Sequence, residues 1–459
     1  MSDITAALAH LDEDQDAAIA RLFETIRIES ISTDPAYASE CRKAADWHAA
    51  DLASIGFETR VADTPGHPMV VAHHDGPGPH VLFYGHYDVQ PVDPLDLWTH
   101  GGPFEPKVME VNGAKVLHGR GTADDKGQLM TFVEACRALK ATTGGLPCRV
   151  TVLLEGEEES GGESLPPFLD AHRDELKADI GLICDTGMWD PETPAITTML
   201  RGNLGEQVTI HAASRDLHSG MYGGAAANPI HVLTRILSGM HADDGSITIP
   251  GFYEGVEELP ANIKAQWDGL GFSPARFLGD VGLAEPWGKH GYSALEHVWS
   301  RPTAEVNGIW GGYIQEGFKT VIPAEAHAKV SFRLVGRQDP EDVRDKFRKF
   351  VEANLPSDCT ASFHSRGGGA ATIMPTDDPA FEKARAALTE EWGKPAIFAG
   401  CGGSIPVVGE LKARLGMDSL LIGFGLEDDN LHSPNEKYNL SSFTKGARSW
   451  VRVLAALGS

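Results

Sequence analysis

The amino-acid sequence predicts an α/β protein into which a second, α+β unit is inserted. Two patterns carry this prediction. Short apolar runs alternate with helix-like stretches in the first and last parts of the chain, whereas residues 203–372 follow a strand–helix–strand–strand–helix–strand order. The first pattern indicates a mainly parallel central sheet flanked by helices, and the second indicates a small antiparallel sheet with helices on one face.

The first unit is predicted to comprise residues 1–202 and 373–459. Its strands are predicted from short apolar runs, and its helices from apolar residues at helical spacing. The predicted strands are 80–85, 149–154, 180–184 and 418–424, and the predicted helices are 14–28, 40–54, 126–140, 377–392 and 441–457. Because ligands of open α/β sheets bind at the carboxyl ends of the strands, we expect the motifs that follow these strands to converge on one edge.

The second unit is predicted to comprise residues 203–372. It begins with an alternating strand, which a Gly-rich turn and a helix follow. The predicted strands are 205–214, 303–310, 324–335 and 358–364, and the predicted helices are 228–240 and 339–353. Residues 241–300 are rich in Gly, Pro and Trp and show weak periodicity, so they are predicted to form an irregular insertion.

Composition and charge exclude several classes of protein. The chain has 459 residues, a formal net charge of -26 and 42% hydrophobic residues. This acidity disfavours nucleic acid and anionic membranes as partners, and no apolar run is long enough to predict a membrane span. The N-terminal residues do not resemble a secretory signal. None of the six cysteines forms a CxxC pair, which predicts reduced thiols and a cytoplasmic location.

Five motifs near the predicted strand ends carry imidazole or carboxylate side chains. They are YGHYDVQP (84–91), GRGTADDKG (119–127), EGEEESGG (155–162), ICDTG (183–187) and LHSPNEK (431–437). The candidate metal ligands within them are His86, Asp124, Glu159, Asp185 and His432. Two imidazoles and three carboxylates suit two divalent cations, and Glu158 is left free to accept and donate protons. Such a set predicts a two-metal hydrolase.

Each motif alone has a simpler interpretation. His86 and Asp88 lie two residues apart on an extended segment, so the carboxylate can orient the ring, but the pair can also be a surface feature. Asp124 precedes a helix, where a carboxylate often serves only as an N-cap. The acidic run at 155–159 can be a solvated loop, or a cluster that a cation holds ionised. The metal hypothesis therefore depends on all five motifs together.

These motifs resemble the M20 metallopeptidase family, and its dipeptidase branch most closely, over nearly the whole chain. That branch includes cytosolic non-specific dipeptidases and carnosinase-type enzymes. Four further segments resemble the same branch, namely DLHSGMYGG (216–224), KTVIP (319–323), SFRLV (331–335) and GGSIP (402–406). The resemblance implies a catalytic domain that is interrupted by a ferredoxin-like lid, through which the protein forms a homodimer.

The resemblance also implies roles for the motif residues. It makes Asp124 the ligand that bridges two Zn²⁺ ions, with Mn²⁺ or Co²⁺ as alternatives for the same donors. His86 and Asp185 would bind one metal, and Glu159 and His432 would bind the other. Glu158 would be the general acid/base, and Asp88 would orient His86.

Substrate-binding residues follow from the same resemblance. His218 is expected to reach the partner subunit's active site and stabilise the oxyanion, with Thr320 nearby. Arg333 is expected to bind the substrate carboxylate, and Gly403 and Ser404 are expected to contribute hydrogen bonds at a helix start. A surface ion pair for Arg333 and a plain N-cap for Ser404 are the simpler alternatives.

The expected function is therefore hydrolysis of dipeptides or short peptides. An M20-type amidohydrolase that acts on N-acyl or carbamoyl amino acids is the first alternative, and a non-enzymatic metal-binding protein is the second. The intact Glu158 argues against the second alternative, since binding alone needs no group that transfers protons. The segment Thr186–Met188 departs from the polar or aromatic pair that close dipeptidases carry there, which leaves the shape of the substrate pocket open.

Overall fold

The structure is a computed structural model, and it describes residues 4–459 of the chain. Its helices agree closely with the predicted ones wherever a helix was predicted. The helices are α1 Thr5–Glu13, α2 Gln15–Ile26, α3 Ala38–Ile55, α4 Lys126–Thr143, α5 Leu165–Ala171, α6 Arg173–Leu176, α7 Ser219–Tyr222, α8 Pro229–Ser238, α9 Ala261–Asp268, α10 Pro274–Gly279, α11 Ala294–Trp299, α12 Pro340–Ala353, α13 Pro379–Trp392, α14 Pro406–Glu410 and α15 Leu440–Leu457. None of the helices in the described range has the length and apolar character needed to cross a membrane.

The strands include every predicted one and several that the sequence patterns did not indicate. They are β1 Glu58–Ala62, β2 Met69–His74, β3 His80–His86, β4 Lys107–Val111, β5 Ala114–His118, β6 Arg149–Glu155, β7 Ile180–Ile183, β8 Ala195–Leu200, β9 Gly202–His211, β10 Leu217–His218, β11 Thr303–Gly311, β12 Val321–Ile322, β13 Glu325–Leu334, β14 Thr360–Gly369, β15 Thr372–Ile373, β16 Ile397–Cys401, β17 Ser419–Leu421 and β18 Lys437–Asn439.

The chain divides into two compact units. The first comprises Met1–Thr198, Met374–Ala399 and Glu410–Ser459, and the second comprises Met199–Ile373 and Gly400–Gly409. The segment Gly400–Gly409, which the sequence prediction assigned to the catalytic domain, groups with the second unit.

A mainly parallel sheet forms the centre of the first unit, as predicted. Its strand order is β1-β2-β6-β3-β7-β17-β8, and β6, β3, β7 and β17 run parallel to one another. Helices α4 and α15 cover it through stacked aromatic rings: the rings of Phe83 and Phe132 lie 3.8 Å apart, and the edge of Trp450 packs on both. A separate three-stranded sheet, β18-β5-β4, joins residues 437–439 to His118 and its neighbours.

The second unit has the predicted ferredoxin-like order of elements. Its antiparallel sheet has the strand order β11-β13-β9-β14, and α8 and α12 pack against it. The core is apolar, with Val208 from β9, Phe332 from β13 and Phe347 from α12 almost fully buried. Residues 241–300 are less irregular than predicted, because Ser293 and Glu296 form a capping box that starts α11, and Pro274 starts α10.

Candidate metal centre

The predicted ligands leave neighbouring strands at the same edge of the central sheet. His86 is the last residue of β3 and is paired in register with Glu155, the last residue of β6. On the other side of β3, Tyr84 is paired with Ile183, the last residue of β7. Asp185 follows β7 by two residues, and Glu159 lies in a short 3₁₀ turn just after β6. The parallel sheet thus sets three ligands side by side, as the strand-end rule requires.

The five candidate ligands form two donor groups that share one residue. His86, Asp124 and Asp185 form one group, and Asp124, Glu159 and His432 form the other; within each, the donor atoms lie within 4.8 Å of one another. The two oxygens of Asp124 face different groups. Oδ1 lies 3.2 Å from Nε2 of His86, and Oδ2 lies 2.9 Å from Nε2 of His432. One carboxylate therefore stands between two imidazoles, in the position of a bridging ligand.

Electrostatic repulsion among the carboxylates indicates that this cluster is built for cations. Burial, opposed in part by His86, raises the pKa of Asp185 well above its usual range. Burial and the charge of Asp124 raise the pKa of Glu159 to about 8. Oε1 of Glu159 is buried without a hydrogen-bond partner in the described part of the chain. Nearby acids that must share a proton or a cation are typical of metal and catalytic sites, and the donor set suits Zn²⁺, Mn²⁺ or Co²⁺.

Asp88 connects the two donor groups. Its Oδ2 accepts a hydrogen bond from the backbone N–H of Glu159 at 3.0 Å. Its Oδ1 lies 3.4 Å from Nδ1 of His86, and its carbonyl oxygen lies 3.2 Å from the same nitrogen. A proton on Nδ1 leaves the Nε2 lone pair directed at Asp124, which is the tautomer that a metal ligand needs.

Three further residues also position ligands, and of these only Asp125 was considered from the sequence, as the second carboxylate of the Asp124 motif. Gln90 donates from Nε2 to Oε2 of Glu159 at 2.7 Å. Asp125 accepts from the backbone N–H of His86 at 3.1 Å. Glu436 is fully buried and accepts from the backbone N–H of Asp124 at 3.1 Å. All three lie inside the motifs already recognised, so the signal was present, but it did not separate ligands from the residues that hold them.

Glu436 is the centre of a buried network behind Asp124. Its Oε2 accepts from Nη1 of Arg120 at 2.6 Å and from the N–H of Gly121 at 3.0 Å, and its Oε1 also accepts from the N–H of Ala123 at 2.9 Å. One carboxylate thus fixes the GRGTADD turn through four donors. Because both members of the Arg120 pair are buried, removal of either one leaves an unpaired charge.

The loop that carries His432 is fixed by an ion pair at its base. Nζ of Lys437 donates to Asp428 and to Asp429, at 2.7 Å each, and Oδ2 of Asp429 accepts from the N–H of Leu426 at 2.6 Å. His432 itself has a left-handed φ of 57°. The loop thereby brings a half-exposed imidazole to the edge of the sheet.

The glutamates at the end of β6 and just after it have different roles. Glu157 accepts from the backbone N–H groups of His67 at 2.9 Å and Ser164 at 3.0 Å, so it holds the loop. Glu155 accepts from the hydroxyl of Tyr84 at 2.6 Å. Glu158 is half-buried, and burial raises the pKa of its carboxyl group. Its carboxylate has no hydrogen-bond partner among residues 4–459, which leaves it available to a substrate or a water molecule.

The predicted substrate-binding residues lie in the second unit. His218 and Thr320 are exposed and adjacent, since His218 pairs with Val321 across β10 and β12. Nδ1 of His218 accepts from the N–H of Gly220 at 3.0 Å. Arg333, in β13, is half-buried and lies opposite Asn203 in β9. Oγ of Ser404 accepts from Asn203 at 3.4 Å.

Gly403 and Ser404 lie in the turn before α14, a helix of 5 residues. A π-helical turn, Leu411–Leu415, follows α14 directly, and the role of Gly403 and Ser404 at this helix start stays a prediction. In the first unit, the segment after Asp185 is held by backbone hydrogen bonds: Met188 donates to the carbonyl oxygen of Gly425 at 2.9 Å, and Gly425 donates to that of Thr186 at 3.2 Å.

Comparisons with known proteins fit this geometry. The family model described as Peptidase family M20/M25/M40 matches residues 82–456. The chain belongs to this family. The predicted resemblance and the predicted enzyme class, an M20-type hydrolase, are thereby confirmed.

Relatives with named activities match almost end to end. The chain is 30% identical over 466 residues to the Cys-Gly metallodipeptidase dug1 of Schizosaccharomyces pombe, which covers 98% of this chain and 97% of the relative. It is 27% identical over 466 residues to the Beta-Ala-His dipeptidase of Homo sapiens, covering 96% and 90%. Among solved structures, the di-peptidase Dug1p from Saccharomyces cerevisiae superposes with a TM-score of 0.78 at 29% identity, covering 100% of this chain and 99% of that one. The M20 peptidase fold of the chain is thus established.

Proposed function

We propose that the protein is a dipeptidase that uses two divalent metal ions, and we expect these ions to be Zn²⁺. The observation that carries this proposal is the position of Asp124, whose two oxygens face two separate imidazole–carboxylate groups. Relatives that match this chain from end to end are named as dipeptidases, which favours dipeptides over other amides.

Two cations held by these five ligands would acidify a water molecule and polarise the amide carbonyl of the substrate. Glu158 takes the proton from the attacking water and returns it to the leaving amine. Its raised pKa suits this role, because it makes the carboxylate a stronger base toward the attacking water, and the carboxylic acid that results can still protonate the leaving amine. Asp88 keeps His86 in the tautomer that its ligand role requires.

His218 is proposed to donate a hydrogen bond to the oxyanion. Its Nδ1 accepts from Gly220, so in the neutral ring the proton lies on Nε2, which is the outward-facing donor. A side chain that is exposed in one subunit can serve the site of another. We therefore propose a homodimer in which His218 and Thr320 complete the partner subunit's active site.

Exposed apolar side chains of the second unit support the homodimer. Phe318 is 98% exposed, Ile314 is 77% exposed and Met221 is 76% exposed. Met221 lies three residues after His218, and Phe318 lies two residues before Thr320. Large exposed apolar side chains grouped in this way mark interaction surfaces more often than free surface, so a second copy of the chain would bury them together with the proposed oxyanion donor.

A substrate panel with metal add-back tests the proposed function. Metal-free protein is assayed on free dipeptides and on matched N-acyl and N-carbamoyl amino acids, before and after addition of Zn²⁺, Mn²⁺ or Co²⁺. We expect metal-dependent hydrolysis of the dipeptides, with at least roughly tenfold lower kcat/KM on the acylated compounds. Exclusive turnover of N-acyl or N-carbamoyl amino acids would instead support the amidohydrolase alternative, and turnover without metal would contradict both.

A further inference from the structure

Two arginine residues of the second unit, Arg201 and Arg333, carry positive charges that act on each other. Arg333 and Asn203 are directly opposite each other on neighbouring strands, and such pairs point to the same face. Arg201 lies immediately before β9, with its Nη2 against Gly402 in the turn whose Ser404 accepts from Asn203. Burial and, after it, the positive charge of Arg333 lower the pKa of Arg201 to about 10. The two guanidinium groups are thus close enough to repel each other.

Neither guanidinium forms a salt bridge in the part of the chain that the structure describes, and the charge of Glu305 raises the pKa of Arg201 by less than the charge of Arg333 lowers it. Arg201 donates from Nε to the carbonyl oxygen of Gly402 at 3.0 Å and from Nη1 to that of His297 at 3.2 Å. Other buried arginines are paired, as Arg120 is with Glu436 and Arg344 is with Glu206. Holding two cations together without an anion is unfavourable. Glu305 offsets only part of this repulsion, so a ligand anion is expected to supply the rest.

Arg201 also holds the glycine turn that precedes α14. Its backbone N–H donates to the carbonyl oxygens of Cys401 at 3.4 Å and Gly403 at 3.1 Å. A side chain at Gly402 would bring its Cβ to 3.1 Å from Nη2 of Arg201, so the guanidinium lies closely against this glycine. The same residue thus holds the turn that contains Gly403 and Ser404, and it adds a second positive charge close to Arg333.

We propose that Arg201 is a positioning residue that sets specificity for a free carboxylate. Its guanidinium makes the Arg333 site attractive to an anion, and its hydrogen bonds hold the Gly402–Ser404 turn in place. The inference rests on the proposed function, in which Arg333 binds the substrate carboxylate. It goes further by assigning that selectivity to a pair of arginines. A carboxylate balances one unit of charge and accepts hydrogen bonds from planar guanidinium groups.

The test compares dipeptides with their C-terminal amides in Arg201→Gln and Arg201→Lys. We expect Arg201→Gln to raise the KM for the dipeptide roughly tenfold, as loss of a charge-assisted contact does, with kcat within about threefold. The KM for the amide should change less than about threefold, and Arg201→Lys should recover most of the loss. Arg337→Gln is the matched control, because Arg337 belongs to the same unit and its side chain is 81% exposed.

An equal loss on dipeptide and amide would overturn the proposal, since it would show that Arg201 only supports the turn. An unchanged KM in Arg201→Gln would overturn it as well. If Arg201→Gln does not fold, Arg201→Lys decides: the proposal requires that it keep the preference for the acid over the amide, and loss of that preference overturns the proposal. Thermal unfolding of each variant identifies a folding defect.

Direct binding separates this inference from the proposed function. In a Glu158→Gln background, calorimetry measures the Kd of the dipeptide and of its amide without turnover. We expect the Arg201→Gln change to remove most of the preference for the acid. If the wild type hydrolyses N-acyl amino acids and not dipeptides, the proposed function is wrong. The Arg201 proposal is still testable in that case, because N-acyl amino acids also carry a free carboxylate. The same comparison between acid and amide then still tests Arg201.

Discussion

Replacement of Asp124 by alanine should remove both metal ions, because both oxygens of this carboxylate are used. One lies 3.2 Å from the imidazole of His86 and the other 2.9 Å from that of His432. Each donor group then falls from three protein ligands to two, and the shared negative charge is lost. Loss of a residue that merely orients a ligand already costs up to ~100-fold in metal affinity, or about 2.7 kcal/mol. Loss of a direct ligand should cost each site at least that much.

The assay is titration of metal-free protein with Zn²⁺, followed by calorimetry and elemental analysis. Asp185→Ala is the matched comparison, because Asp185 belongs to only one donor group; it should lose mainly one ion. Glu390→Gln, which alters an exposed carboxylate outside both groups, should bind as the wild type does. Two sites of unchanged affinity in Asp124→Ala would refute the bridging role and direct attention to Asp125.

Two further predictions concern residues that act on the centre from outside it. Glu436→Gln leaves Arg120 as an unpaired buried cation. The free energy of unfolding of this variant should fall by about 3 kcal/mol, and its metal affinity should fall about tenfold. Denaturant unfolding and Zn²⁺ titration measure the two effects, and Glu427→Gln, which alters an exposed residue, should change neither. His218→Ala mixed with Glu158→Ala should regain about a quarter of wild-type activity after random subunit exchange, since half the dimers are mixed and each has one intact site. No recovery, despite exchange shown by native mass spectrometry, would place His218 outside the partner subunit's site.

Sequence patterns were sufficient to predict the central sheet and where the candidate ligands lie along it. The apolar runs that end at His86, Glu155 and Ile183 are buried parallel strands, and such runs have a clear signal. The edge strand β1 escaped prediction because it is half-buried and its apolar residues form no distinct run. β2 was also not predicted, although it contains four consecutive buried apolar residues.

Residues that support the ligands could not be predicted in the same way. Glu436 lies more than three hundred positions from Asp124 in sequence, and nothing local shows that it accepts the N–H of Asp124. Gln90 reaches Glu159 across 69 positions. The Gly400–Gly409 segment groups with the second compact unit through contacts of the same kind, since the backbone of Arg201 donates to Cys401 and Gly403. Contacts of this kind become visible only when the chain has folded.

The most direct test of a two-metal hydrolase is the Glu158→Gln variant, measured for metal content and turnover on the same preparation. Glu158 is half-buried beside the donor groups, but it belongs to neither of them. We predict that the purified variant binds two metal ions as tightly as the wild type, while kcat on dipeptides falls by at least ~10²–10⁴-fold. Activity within tenfold of the wild type would contradict its role in proton transfer, and loss of one metal would make Glu158 a ligand instead.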